Sequence, residues 1–222
     1  MPVGRKSVSE AVLAGIAEAN KRFERMSHGY WICDYGVEGY VHGVIASFLR
    51  KEQNESESML FEVSFKEIRE YSDAPRRPGR PRDILKDTHR ADIVMFDRSR
   101  RPVHVIEVKR FWSSKSCFND IKRILALLDE YSRAKNGSLN HGVFVFPIVE
   151  MASSKNEARE KVRKRAQKIR HAVKTRFSLD KRSVIFKCFV DSLRFYPDVY
   201  EFKHELAFAG CCMSFAKSVG RG

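Results

Sequence analysis

Acidic residues are in short supply. The 222-residue chain carries 28 Asp and Glu against 42 Lys and Arg, a formal net charge of +14 and a pI near 9.7. Such a deficit excludes a charge-balanced surface and favours polyanionic partners, through steering and counterion release. Long apolar runs are missing too. The longest, residues 142–149, suits a buried strand and falls well short of a membrane span, so no membrane partner is expected. The five cysteines, Cys33, Cys117, Cys188, Cys211 and Cys212, are odd in number and lack paired metal-ligand spacing. Adjacent Cys211 and Cys212 make a poor zinc half-site, and free thiols in a reducing compartment are expected. No signal sequence is read, and a cytoplasmic or nucleoid-associated location is the expectation. There is no internal repeat, no long low-complexity tract and no dividing linker, so one domain over residues 1–222 is expected.

Apolar material is plentiful. Hydrophobic residues make up 43% of the chain and 16 residues are Phe, enough for a real core. Ser7 and Glu10 read as a capping box opening a first helix, with Val12, Ile16 and Phe23 as a partial stripe. Residues 27–36 form a break. A second helix is expected at 37–51, buried through Val41, Val44, Ile45 and Phe48, then a strand at 59–65. Residues 71–89 read as a basic, proline-containing connection. Phe118, Ile121, Leu125 and Leu128 give 116–134 a helical period, closed by Asn136-Gly137. A buried strand at 142–149 is expected to close near Pro147. A helix at 154–177 carries Ala158, Val162, Ala166, Ile169, Val173 and Phe177 on one stripe. Strands at 183–190 and 199–208 follow, and the tail from Ala216 is expected to fray.

The most informative stretch is 90–110, RADIVMFDRSRRPVHVIEVKR. It reads as a strand, a basic turn at 97–101 and a second strand. Alternate residues share a face. Glu107 and Lys109 therefore lie with Val105, Asp92 lies with Val94 and Phe96, and Ile106 and Val108 point the other way. A hairpin brings Asp92 beside Glu107, placing two carboxylates and an ammonium at one end of an apolar sheet. That is costly unless a divalent cation compensates the charge.

Asp92, a spacer of 14 residues, and Glu107-Val108-Lys109 resemble the motif of the PD-(D/E)xK nuclease superfamily. The helix–strand–strand–strand–helix–strand order of residues 37–149 is similar to that family's core. Ala91 stands where the name-giving proline would be. The resemblance implies an α/β fold with a restriction-endonuclease-like core, a mixed central sheet flanked by helices. Residues 154–215 would add an extra C-terminal helix and strand pair. It implies a metal-dependent endonuclease hydrolysing DNA phosphodiesters, in restriction, repair, recombination or mobile-element processing. Asp92, Glu107, Lys109 and Glu38 would be catalytic. Mg²⁺, with Mn²⁺ able to substitute, would be held by Asp92, Glu107 and the Val108 carbonyl. His42, one turn after Glu38, is read as a polar contact rather than a ligand. Asn119, Lys122 and Arg123 are the polar options on the helix after the motif, and Trp112 is read as core or rim.

Two basic segments could hold double-stranded DNA. Residues 155–182 contain 12 Lys or Arg and three acids. With the apolar stripe packed, Arg163, Lys164 and Lys168 fall on the outer face, where they can track phosphates. The stretch 76–82, with Arg76, Arg77, Arg80 and Arg82, resembles an AT-hook core and is read as a loop that orders on DNA. Lys122 is a further candidate for touching nucleic acid. A homodimer is the partner expectation that this nuclease class implies, and the apolar tail 200–215 reads either as an interface or as an edge of the sheet. A silent DNA-binding module on the same fold and an RNA-acting nuclease are the competing readings.

Overall fold

The structure, a computed structural model, describes residues 5–75, 83–181, 184–190, 194–196 and 205–218. It is an α/β fold. A mixed seven-stranded sheet is covered by helices on both faces. The elements run α1 (Arg5–Met26), α2 (Ile32–Tyr35), α3 (Glu38–Glu52), β1 (Ser58–Ser64), α4 (Phe65–Tyr71), β2 (Arg90–Phe96) and β3 (Pro102–Val108). Then come α5 (Ser114–Tyr131), β4 (His141–Ala152), α6 (Lys155–Phe177), β5 (Val184–Val190), β6 (Arg194–Tyr196) and β7 (Glu205–Lys217). Strand order is β1-β2-β3-β4-β7-β5, with β6 pairing the start of β7. β3 and β4 are parallel, and the other neighbours in that order are antiparallel.

The two faces follow from alternation along the strands. Ile93, Met95, Ile106, Val108, Val143 and Val145 point into one cluster with Val12 and Ile16 of α1 and Val41, Ile45 and Leu49 of α3. Val94, Phe96, Val105, Phe144 and Phe146 point into the other, with Ile121, Ile124 and Leu128 of α5 and Val162, Ile169 and Val173 of α6. Each fully buried Phe or Ile contributes about 1.5–3 kcal/mol relative to exposure. α1 lies close on α3 because residue 15 is glycine: a Cβ there would stand 2.7 Å from the Ile45 Cα. No described helix is long and apolar enough to cross a membrane.

Local chemistry shifts several expected boundaries. α1 already runs from Arg5, so Ser7 lies inside its first turn rather than capping it. The capping box stands instead at Ser64 and Glu67, where both reciprocal bonds are present; it stops β1 at Ser64 and opens α4, burying Phe65 and Ile68. Pro147 does not close its strand. β3 pairs β4 only as far as Val145, so beyond that point β4 has β7 alone as a ladder partner, and such an edge tolerates a proline. Ala216, where fraying was expected to begin, is buried and paired with Ile185, and residues 219–222 lie outside the described residues. β7 lies between β4 and β5 with residues 207–216 buried, so it is neither the sheet edge nor an exposed interface. The stretch 76–82 and residues 199–204 lie outside the described residues.

Candidate metal-dependent active site

The β2–β3 hairpin sets the site. Asp97 closes its turn: Oδ1 accepts from the Ser99 and Arg101 backbone N–H groups at 2.9 and 3.0 Å, and Oδ2 accepts from the Arg101 guanidinium at 2.8 and 3.0 Å. This holds the register Ile93–Ile106, one step from which Asp92 stands opposite Glu107. Across that step the Val108 N–H donates to Asp92 Oδ2 at 2.7 Å. Both ends of the expected motif thus meet at one end of the sheet.

Glu107 is 1% exposed, and its Oε1 has no hydrogen-bond partner. Burial, reinforced by the Asp92 charge, pushes its carboxyl well above the usual carboxylate range. Lys109 sits just beyond the strand, its N–H donating to the Val145 carbonyl at 2.8 Å. Its Nζ reaches Glu38 Oε1 at 3.2 Å on the α3 side and Asp120 Oδ2 at 3.6 Å on the α5 side. Burial works against the Lys109 charge, but Asp120, Asp92 and Glu38 outweigh it and leave its pKa above the ordinary lysine value. Asp120 is itself 4% exposed; burial raises its pKa against the pull of Arg123, which pairs with it, and Lys109.

The structure brings together Asp92, Glu107, Lys109 and Glu38. It adds three more groups, of which only His42 was expected nearby, as a polar contact. Asp120 is one. Its signal was visible: an acid three residues after Cys117 and four before Ile124 lies on the apolar stripe of α5, where a charge calls for an explanation. Glu62 is the second, an acid inside the Leu60–Val63 run of β1. His42 is the third. Its Nε2 lies 3.7 Å from Asp92 Oδ2, and the side chain is buried. The ligand atoms of His42, Glu62 and Asp92 all lie within 4.8 Å of one another, and this group could hold a metal ion. Glu107 is not a member of that group, so of the two expected carboxylate ligands only Asp92 falls in it.

The other candidates scatter. Asn119 is exposed, and Arg123 turns inward to Asp120. Lys122 is exposed and lines a cavity of about 590 Å³ between α5 and the end of α6, with Asp129 and Arg176. Trp112, half-buried, packs on Phe118, Phe144 and Phe146 at the rim of the core. Arg163, Lys164 and Lys168 are exposed on α6, the first two beside Glu160. Arg76, Arg77, Arg80 and Arg82 lie outside the described residues. No family model, no curated protein and no solved structure matches this chain.

Proposed function

We propose that this protein is a metal-dependent endonuclease that hydrolyses DNA phosphodiester bonds on a restriction-endonuclease-like core. The observation that carries the reading is the gathering of Asp92, Glu107 and Lys109 at one sheet end, with a buried carboxylate oxygen left unpaired. The parallel β3–β4 pair after a β1–β2–β3 meander, with α3 before it and α5 within it, supports the fold assignment.

The residues fit a divalent cation. Asp92, Glu62 and His42 offer oxygen and nitrogen donors within a few ångströms, and Glu107 Oε1 lacks any other partner. When bound, such an ion supplies a water of lowered pKa and screens the phosphate charge. Hydrolysis requires attack of a water oxygen on phosphorus, rupture of the P–O bond to the leaving oxygen and a proton for that oxygen. Lys109, held between Glu38 and Asp120 and kept protonated, serves as a fixed positive donor to a phosphate oxygen rather than as a base. Asp120 and Glu38 position that ammonium from opposite faces of the sheet. The exposed bases of α6 supply sequence-blind phosphate contacts that hold duplex DNA to the surface.

Supercoiled plasmid tests this directly, incubated with Mg²⁺ or Mn²⁺ and, separately, with EDTA, beside Asp92→Ala and Lys109→Ala. Metal-dependent nicking that both substitutions abolish is the expected result. Binding without cutting across several DNA forms would instead mark a silent DNA-binding module, and cleavage of labelled RNA alone would mark an RNA nuclease.

A further inference from the structure

Three elements deliver the His42–Glu62–Asp92 group: Asp92 also serves the hairpin, while buried His42 and exposed Glu62 are placed in ways the fold itself does not require. His42 comes from α3, where it is 6% exposed, and its Nε2 has no hydrogen-bond partner. A buried imidazole nitrogen left in that condition is costly, and Asp92 Oδ2 stands 3.7 Å from it, beyond hydrogen-bond reach. Glu62 comes from β1 at φ 51°, a left-handed conformation in the middle of a strand. Its neighbours Phe61 and Val63 pair with Ile93 and Ala91, but Glu62 drops out of the ladder where it would face Asp92. Positive φ is uncommon for a residue with a side chain, and such strain gathers at functional sites. Asp92 comes from β2, its Oδ2 already fixed by the Val108 N–H at 2.7 Å. A buried imidazole nitrogen without a hydrogen bond and a carboxylate turned out of its ladder thus converge on one strand-end aspartate.

We infer that this group is a metal centre for a first-row transition dication in preference to magnesium, with His42 Nε2, Glu62 and Asp92 as its ligands. Donor chemistry decides between the ions. Magnesium selects an all-oxygen octahedral shell and gives up its waters reluctantly. An imidazole nitrogen beside two carboxylates suits the transition dications instead, and the absence of thiolate from the set removes any bias towards soft ions. His42 is thereby a ligand and not only a polar neighbour of the site. The inference deepens the proposed nuclease reading by naming its cation, but metal binding is measured apart from cleavage, so the two fail separately.

Manganese is the probe, because its paramagnetism reports its ligands. Calorimetric titration of the full chain with Mn²⁺, repeated with Mg²⁺ in competition, should give one Mn²⁺ site at least tenfold tighter than Mg²⁺. Pulsed EPR of the Mn²⁺ protein should show coupling to a directly bound ¹⁴N. In His42→Ala that coupling disappears, and Mn²⁺ affinity falls at least tenfold while Mg²⁺ affinity changes little. Glu62→Gln weakens both ions. Absence of nitrogen coupling in the wild-type protein, or equal affinity for the two ions, overturns the inference. If His42→Ala fails to fold, the wild-type nitrogen signal alone decides. DNA cleavage in Mg²⁺ without nitrogen coupling would remove this centre and leave the nuclease reading standing; a nitrogen-bound Mn²⁺ without any cleavage would do the reverse.

Discussion

The two ends of the sheet are built on opposite terms. From Gly142–Phe215 to Ala152–Glu205, β4 and β7 form one long antiparallel ladder, flanked by Phe144, Phe146, Phe208 and Phe215, all fully buried. At the other end β1, β2 and β3 carry Glu62 out of its ladder, an unpaired oxygen on buried Glu107 and an ammonium shared between two acids. The first arrangement has no chemistry to offer and supplies stability. The second holds Glu107 and Lys109 where burial disfavours their charged forms. The contrast teaches where the proposed function sits: the strained, charge-bearing hairpin end is where a bound cation would offset the cost.

Four variants can break or sharpen that contrast. Phe146→Ala should have the largest effect, lowering the unfolding free energy by about 3–5 kcal/mol in urea titration. Cleavage per folded molecule should persist. A loss under about 1 kcal/mol would mean that the β4–β7 half is not the stabilising one. Lys109→Met keeps the stem and removes the charge. It should reduce plasmid nicking on the order of 100-fold, about 2.7 kcal/mol of barrier, with little change in melting.

Glu107→Gln should act with the opposite sign on stability. A carboxyl whose pKa is raised by folding holds its proton more tightly in the folded state. It costs nothing below its unfolded pKa, and the penalty grows as pH rises from there towards the folded value. In EDTA the variant should therefore be more stable than the wild type at pH 7, by about 1 kcal/mol or more, with the gap narrowing towards pH 4. Equal stability across that range would show that the charge is already compensated. The smallest effect belongs to the surface. Neutralising Arg163, Lys164 and Lys168 should weaken DNA binding and flatten the dependence of log affinity on log salt, by about 0.9 for each phosphate no longer neutralised. An unchanged slope removes α6 from the binding surface.

Much of this was legible in the chain because the patterns were local. The alternation of 90–110 placed Asp92 with Val94 and Glu107 with Val105, and both strands form over that stretch. The stripe of Ala158, Val162, Ala166, Ile169 and Val173 marked the buried side of α6, which Ser154 caps. What escaped was decided by tertiary partners. Pro147 looked like a stop because its strand's loss of β3 past Val145 is a property of the sheet, not of the sequence. The run 200–215 reads as an apolar tail until β4 and β5 close from both sides on its described part, 205–215. In the site, Asp92, Glu107 and Lys109 were found by strand alternation and spacing, and Glu38 came from the family resemblance. Glu62 was not, because a left-handed residue within a strand has no period to announce it. The partnership of His42 with Asp92 depends on how α3 crosses the sheet, which periodicity does not reveal.

The most direct test is single-turnover cleavage of a labelled DNA duplex by the wild-type protein and Asp92→Asn, at saturating protein, with divalent cation and with EDTA. The amide oxygen of the variant can still accept from the Val108 N–H, so the hairpin keeps its register. Cation-dependent cleavage should fall at least about 100-fold in Asp92→Asn while duplex binding and melting are unchanged. Cleavage at the wild-type rate by the folded variant, or cleavage that EDTA leaves untouched, would contradict a metal-dependent site built on Asp92.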